Sequence, residues 1–77
     1  MSEHSYFEGI KKRSSLVIEK HGYVGCFFRD RALGMQVGVL ELFKNEQSII
    51  HATLHKNASD KKVEETMDYY LKFLENY

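Results

Sequence analysis

The chain has 77 residues, of which 43% are hydrophobic and 29% are charged, and its eleven basic residues balance eleven acidic ones. This hydrophobic content predicts one compact domain over residues 1–77 and excludes a disordered chain. A net charge of zero excludes a general attraction to nucleic acid, so any such binding needs a local cluster of basic residues.

The cysteine content and the N-terminal residues bear on the compartment. The chain has one cysteine, Cys26, which cannot form an internal disulfide framework and therefore favours a reducing compartment. The first residues lack the basic and then apolar run of a signal peptide. No apolar stretch approaches the ~20 residues that span a membrane. We therefore expect a cytoplasmic protein without membrane attachment.

Residues 4–21 predict a first helix. Their apolar side chains recur on one helical face, and Gly22 follows as a C-terminal stop. A competing interpretation makes Leu16–Glu19 a strand, which a turn at residues 20–22 joins to the next strand. The β-branched residues in this segment suit a pleated sheet, and the sequence leaves both interpretations open, with the helix favoured.

Between residues 23 and 56 the hydrophobic period changes to two, which is typical of strands. The pattern predicts three antiparallel strands, which cover Tyr23–Arg29, Met35–Lys44 and Ser48–Lys56. Residues 30–34 form the first connecting loop, and residues 45–47 have the composition of a hairpin turn. Short loops of this kind join antiparallel neighbours.

The segment from Ser59 to Tyr77 predicts a second helix with a wide apolar arc. One stripe of this helix predicts contacts with the core; it contains Val63, Met67, Tyr70, Leu71 and Leu74. Tyr69, Phe73 and Tyr77 form a second stripe beside it. The apolar arc then spans about 200°, against the ~100° of an ordinary surface helix.

The order of these elements predicts an α+β fold of two layers: helix, three-stranded antiparallel sheet, helix (αβββα). A three-stranded sheet needs cover on at least one face to be stable. Placing both helices on one face of the sheet is the economical arrangement. Gly25 and Gly38 would then let a helix approach the sheet closely, or mark bulges.

No pattern in the sequence predicts catalysis, a metal site or a cofactor. His51 and His55 share a strand face but lie ~13 Å apart along it, which is too far to bind one metal ion together. Cys26 lies in the most apolar strand, where it is expected to be a small buried residue. A catalytic thiol would need a nearby base and an exposed setting. We therefore expect a protein that is not an enzyme.

The second stripe of the last helix predicts a protein-binding surface. Aromatic side chains provide large contact areas at low entropy cost and are enriched at the centres of interfaces. Tyr69, Phe73 and Tyr77 would form this surface, and Arg29 and Arg31 would form a rim that orients an acidic partner. Packing against the sheet is the alternative for these rings, and it is favoured for Phe73.

These features predict a small regulatory or adaptor protein that occludes or bridges a partner protein, of the kind that bacteria, phages and plasmids use. Its partner would be another protein. Self-association through the last helix, in a two-fold homodimer, is the commonest way to bury such a stripe.

A second hypothesis is nucleic-acid binding through basic clusters in the two helices. These clusters comprise Lys11, Lys12, Arg13, Lys61 and Lys62. The order helix, three strands, helix resembles that of double-stranded RNA-binding domains, and Ser59–Lys62 resembles the lysine-bearing helix start of that family. The resemblance implies phosphate contacts by these lysines. The glycines that precede this segment in the family are absent here, and Asp60 and Glu64–Glu65 depart from its basic character.

Overall fold

The computed structural model describes residues 3–29 and 36–75 as two helices and one four-stranded antiparallel sheet. In chain order the elements are α1 (Glu3–Arg13), β1 (Leu16–Lys20), β2 (Tyr23–Phe28), β3 (Val37–Lys44), β4 (Gln47–His55) and α2 (Asp60–Glu75). The strands are neighbours in the order β1-β2-β3-β4. The predicted α+β class is confirmed, whereas the predicted number of three strands is wrong. Neither described helix is long and apolar enough to cross a membrane.

The additional strand is β1, so the predicted first helix is wrong in its second half. α1 ends at Arg13, and β1 then alternates half-buried and exposed side chains. Val17 and Ile18 are β-branched and suit this extended backbone. His21 and Gly22 both have positive φ, 53° and 79°, which defines a two-residue type I′ turn between β1 and β2.

The two helices lie on opposite faces of the sheet, so the predicted two-layer arrangement is also wrong. Successive side chains of a strand point to opposite faces. α2 packs on the face that carries Phe27 and Leu40, whereas α1 packs on the face that carries Cys26 and Phe43. The physical reason lies in β2, whose sequence YVGCFF contains no charged or strongly polar side chain. Both faces of this strand need cover, which gives three layers.

α2 is held by its apolar stripe and by an N-terminal cap. The predicted core stripe is confirmed: Val63, Met67 and Leu71 are buried, and Tyr70 and Leu74 pack against the same cluster. The helix begins after Ser59. The backbone N–H of Lys62 donates a hydrogen bond of 3.1 Å to the Ser59 hydroxyl oxygen, which satisfies one unpaired group of the first helical turn.

Two glycines of the sheet allow close packing. A Cβ at Gly25 would lie 2.9 Å from the Met67 sulfur, so this glycine lets α2 approach β2, as the sequence predicts. A Cβ at Gly38 would lie 2.7 Å from the Phe28 carbonyl oxygen and 2.8 Å from the ring of Phe27. Gly38 therefore accommodates the neighbouring strand rather than a helix.

Candidate functional site

Two rings of α2 are exposed to solvent and contact each other. Tyr69 is 58% exposed and Phe73 is 51% exposed, so the expectation that Phe73 packs in the core is wrong. The Tyr69 ring meets the Phe73 ring at 5.1 Å and the Tyr70 ring at 5.3 Å, both edge to face. We call Tyr69, Tyr70 and Phe73 the aromatic surface. Tyr77 and Arg31, which the sequence assigns to the same site, lie outside the described residues.

The rotation of α2 about its axis is fixed by charged contacts on its other flank. The ammonium group of Lys20 lies 2.7 Å from a carboxylate oxygen of Glu64 and 2.7 Å from one of Asp68. These two hydrogen bonds raise the pKa of Lys20, and the bond to Asp68 has the larger effect. At 100° per residue, Tyr70 and Phe73 lie on the opposite side of the buried stripe. Because β1 is one edge of the sheet, the aromatic surface faces the other edge, which is β4.

Arg29 is not part of the aromatic surface. Its guanidinium donates hydrogen bonds of 2.7 Å to the carbonyl oxygens of Lys56 and Ala58 and lies 3.3 Å from the Asp60 carboxylate. These contacts join the end of β2 to the start of α2. Tyr69 lies nine residues further along the helix, about 14 Å from Asp60 along the axis. The structure therefore does not bring Arg29 and Tyr69 together.

The exposed area of the two rings is small for a complete interface. An aromatic side chain that is half exposed presents about 100 Å² to solvent, so Tyr69 and Phe73 together present about 200 Å². A stable interface buries about 800 Å² per partner. The aromatic surface is thus large enough to be the centre of an interface, while polar neighbours on α2 must supply the rim.

The basic clusters of the nucleic-acid hypothesis lie on opposite faces of the sheet, because one belongs to α1 and the other to α2. The Lys11 ammonium group is 3.1 Å from the Glu8 carboxylate and 3.8 Å from that of Glu19. The hydrogen bond to Glu8 is the main cause that raises the pKa of Lys11. Lys61 and Lys62 are exposed at the start of α2. The two clusters do not form one basic surface.

A serine, a histidine and a carboxylate meet on β3 and β4, and sequence reasoning missed this group. Nε2 of His51 lies 3.2 Å from the Ser48 hydroxyl and 2.9 Å from the Glu41 carboxylate. In a catalytic triad the serine and the carboxylate contact opposite ring nitrogens. Here both contact the same nitrogen, so the imidazole cannot relay a proton between them. Glu41 is 7% exposed and lies opposite His51 in the ladder. The His51 imidazole therefore serves as a polar partner for the buried Glu41 carboxylate.

Cys26 is completely buried, and this sequence prediction is confirmed. Burial is the main cause that raises the pKa of its thiol, which disfavours the reactive thiolate. His51 and His55 are both exposed. Within residues 3–29 and 36–75, no group of three or more histidine, cysteine, aspartate or glutamate residues is placed to hold a metal ion.

No protein-family model matches this chain, and no curated protein and no solved structure matches it either.

Proposed function

We propose that this protein is a non-enzymatic binding module that docks another protein through the aromatic surface of α2. The observation that supports the proposal is the exposure of Tyr69 and Phe73 beside a core stripe that already anchors the helix. Neighbouring exposed rings add little to folding compared with buried ones, whereas they are the residue type that contributes most at interface centres.

The partner would present an apolar groove or pocket that takes up the two rings. On the helical wheel, the exposed charged residues around the rings have both signs: Lys62 lies between Tyr69 and Phe73, and Glu65 and Lys72 lie on the far side of Tyr69. A rim of mixed charge orients a partner without demanding one that is strongly acidic. Binding of this kind makes a small cytoplasmic protein suitable as an adaptor or as an inhibitor that occludes its partner's own site.

The proposal is tested by affinity capture from the native host with three baits: the wild type, Tyr69→Ala/Phe73→Ala and Tyr6→Ala. Tyr6 is a matched control, because it is 64% exposed and lies on α1, on the other side of the sheet. We expect at least one protein that the wild type and the control retain and the double variant loses. With the purified partner, each ring at the centre of the interface should contribute about 2 kcal/mol, or about 30-fold in Kd.

The outcome that contradicts the proposal is equal retention by all three baits, with affinities that agree within about threefold, or less than 1 kcal/mol. Circular dichroism of each bait shows that a lost partner does not reflect a lost fold. The nucleic-acid hypothesis is not favoured, because its basic clusters lie on opposite faces. It predicts a gel shift of RNA or DNA at low salt that weakens steeply as salt is added.

A further inference from the structure

β4 is a long strand with one open edge. It spans nine residues and pairs with β3, and no strand in the described part of the chain pairs with its other side. Its sequence, QSIIHATLH, contains no Lys, Arg, Asp, Glu or Pro. Proteins usually protect exposed edges by charge, proline or short strand length, and a long uncharged edge is a template for another strand.

The opposite edge of the same sheet is protected. β1 has only five residues and ends in Glu19 and Lys20. The carboxylate of Glu19 lies 3.8 Å from the ammonium of Lys11, and Lys20 is held by two carboxylates of α2. Charged side chains thus flank β1, whereas comparable charges are missing from β4. This difference selects β4 as the edge that is free to pair.

Hairpin geometry determines which main-chain groups of β4 point outward. The two residues that flank a two-residue turn form a hydrogen-bonded pair, here Lys44 and Gln47, and bonded and non-bonded pairs then alternate along the ladder. The same alternation of bonded and non-bonded pairs can be counted from the β1–β2 turn across β2 and β3. It gives the same assignment for the ladder between β3 and β4. The residues that turn their N–H and C=O groups toward β3 are Ile50, Ala52 and Leu54. The residues that turn them outward are His51, Thr53 and His55.

The outward groups are symmetric about Ala52. The carbonyl oxygen of His55 already accepts a hydrogen bond of 2.9 Å from the N–H of Ala58, so the chain turns away from the edge there. At the other end, Ile49 has no partner in the ladder with β3 and forms a bulge. His51 and Thr53 remain as the regular open pair, one on each side of Ala52.

We propose that two copies of this chain form a homodimer in which their β4 strands pair antiparallel about a two-fold axis at Ala52. His51 of each copy then lies opposite Thr53 of the other, in two hydrogen-bonded pairs that contribute about four main-chain hydrogen bonds. On the α2 face the same register places Ile50 opposite Leu54 of the second copy, an apolar cross-strand pair. Two four-stranded sheets become one sheet of eight strands.

The second copy is the occupant that this edge fits. A two-fold axis at Ala52 sets β4 against its own sequence; this register opposes no like charges, because β4 contains no Lys, Arg, Asp or Glu, and it sets apolar Ile50 against apolar Leu54. In the dimer Tyr69 stays open to a partner protein, since it lies about 160° around α2 from Met67, on the outer side of the helix, whereas Tyr70 and Phe73 face the β4 edge. A dimer of this form presents two docking surfaces and so binds partners bivalently.

The dimer is tested by light scattering coupled to size-exclusion chromatography, with wild type and Thr53→Pro. The N–H of Thr53 points outward, so proline at this edge position breaks no hydrogen bond to β3 and the fold is retained. By symmetry it removes two donors per dimer, and we expect Kd to rise about 30- to 100-fold. Ala52→Pro is the matched control: its N–H bonds to β3, so it should lose the fold as seen by circular dichroism.

A second variant tests the register. Residues 52 of the two copies would form a non-hydrogen-bonded pair with Cα atoms ~4.5 Å apart, which is within reach of a disulfide. Ala52→Cys should therefore form a covalent dimer under mild oxidation. Tyr6→Cys, exposed on α1, should not. The native Cys26 is completely buried and does not compete.

A wild type that is monomeric at every accessible concentration overturns the dimer. So does a dimer that survives Thr53→Pro but is abolished by Tyr69→Ala/Phe73→Ala, since that result assigns self-association to α2. The proposed function fails separately: a monomer that still captures a partner through its aromatic surface retains the docking function and loses only the dimer.

Discussion

The distinction between core and surface on α2 leads to a quantitative prediction about stability. Met67 is completely buried and lies against Gly25, so Met67→Ala should lower the free energy of unfolding by about 2–5 kcal/mol. A domain of this size is stable by only about 4–12 kcal/mol. Tyr69 and Phe73 are each about half exposed, so the buried half of each ring contributes about 1 kcal/mol to the free energy of unfolding. Alanine returns about 0.5 kcal/mol of helix propensity at each position, so the double variant should lose about 1 kcal/mol in total.

Urea titrations followed by circular dichroism measure both variants against the wild type. The slope of the transition should stay unchanged, because neither variant alters the surface exposed on unfolding by much, so the midpoints report stability directly. If Tyr69→Ala/Phe73→Ala loses as much stability as Met67→Ala, the rings belong to the core and α2 has no docking surface. If Met67→Ala loses less than 1 kcal/mol, the assignment of the buried stripe is refuted instead.

Three further predictions concern the backbone and pH. Gly38→Ala should destabilise the protein by about 1–3 kcal/mol, because the new Cβ meets the backbone of β2. Gly9→Ala has open space around it, so it should stabilise the protein by up to about 1 kcal/mol through helix propensity. Equal effects of the two variants would contradict the close packing at Gly38. Glu46 has a φ of 65°, so Glu46→Gly should raise the melting temperature by relieving about 1 kcal/mol of strain, and a lower melting temperature would mean that a side-chain contact outweighs it. The pKa of Lys20 is raised by Asp68 and Glu64, so its stabilisation is complete below about pH 10.4 and is lost as the pH rises beyond its folded-state value. The difference in melting temperature between the wild type and Lys20→Met should therefore narrow in that alkaline range, and a constant difference would contradict the pairing.

The strands β2, β3 and β4 were predictable because their alternation is local. Ile50, Ala52 and Leu54 face one side of the sheet in the sequence pattern and in the structure alike. β1 was harder to predict, since Gly22 after Lys20-His21 suits both a helix C-terminus and a type I′ turn; each uses a positive φ. Pairing between β1 and β2 decides between them, and a helical pattern cannot show it.

The exposure of the aromatic surface was not predictable from the helix alone. A wide apolar arc on α2 identifies which rings are available, but the sheet covers only part of that arc. Lys20 fixes which part, because its contacts with Glu64 and Asp68 join residues 44 and 48 positions apart in the chain. The placement of α1 and α2 on opposite faces follows from β2, which has apolar residues on both of its faces. This feature is visible in the sequence and indicates a sheet that is covered on both sides.

The two edges of the sheet differ in charge. Charged side chains flank β1, whereas β4, which lies on the side of the aromatic surface, is an uncharged strand. If this asymmetry makes β4 an interface, then adding to β4 the kind of protection that β1 has should remove the interface without harming the fold. Thr53 is exposed, so Thr53→Lys places a charge on the edge at little cost in stability. We expect this variant to dissociate at concentrations where the wild type is a dimer, with partial recovery in high salt, where the charges are screened. Thr53→Gln, which adds a long polar side chain without charge, is the control that should stay dimeric. Dissociation of both variants to the same degree would assign the effect to side-chain size and contradict the role of charge at this edge.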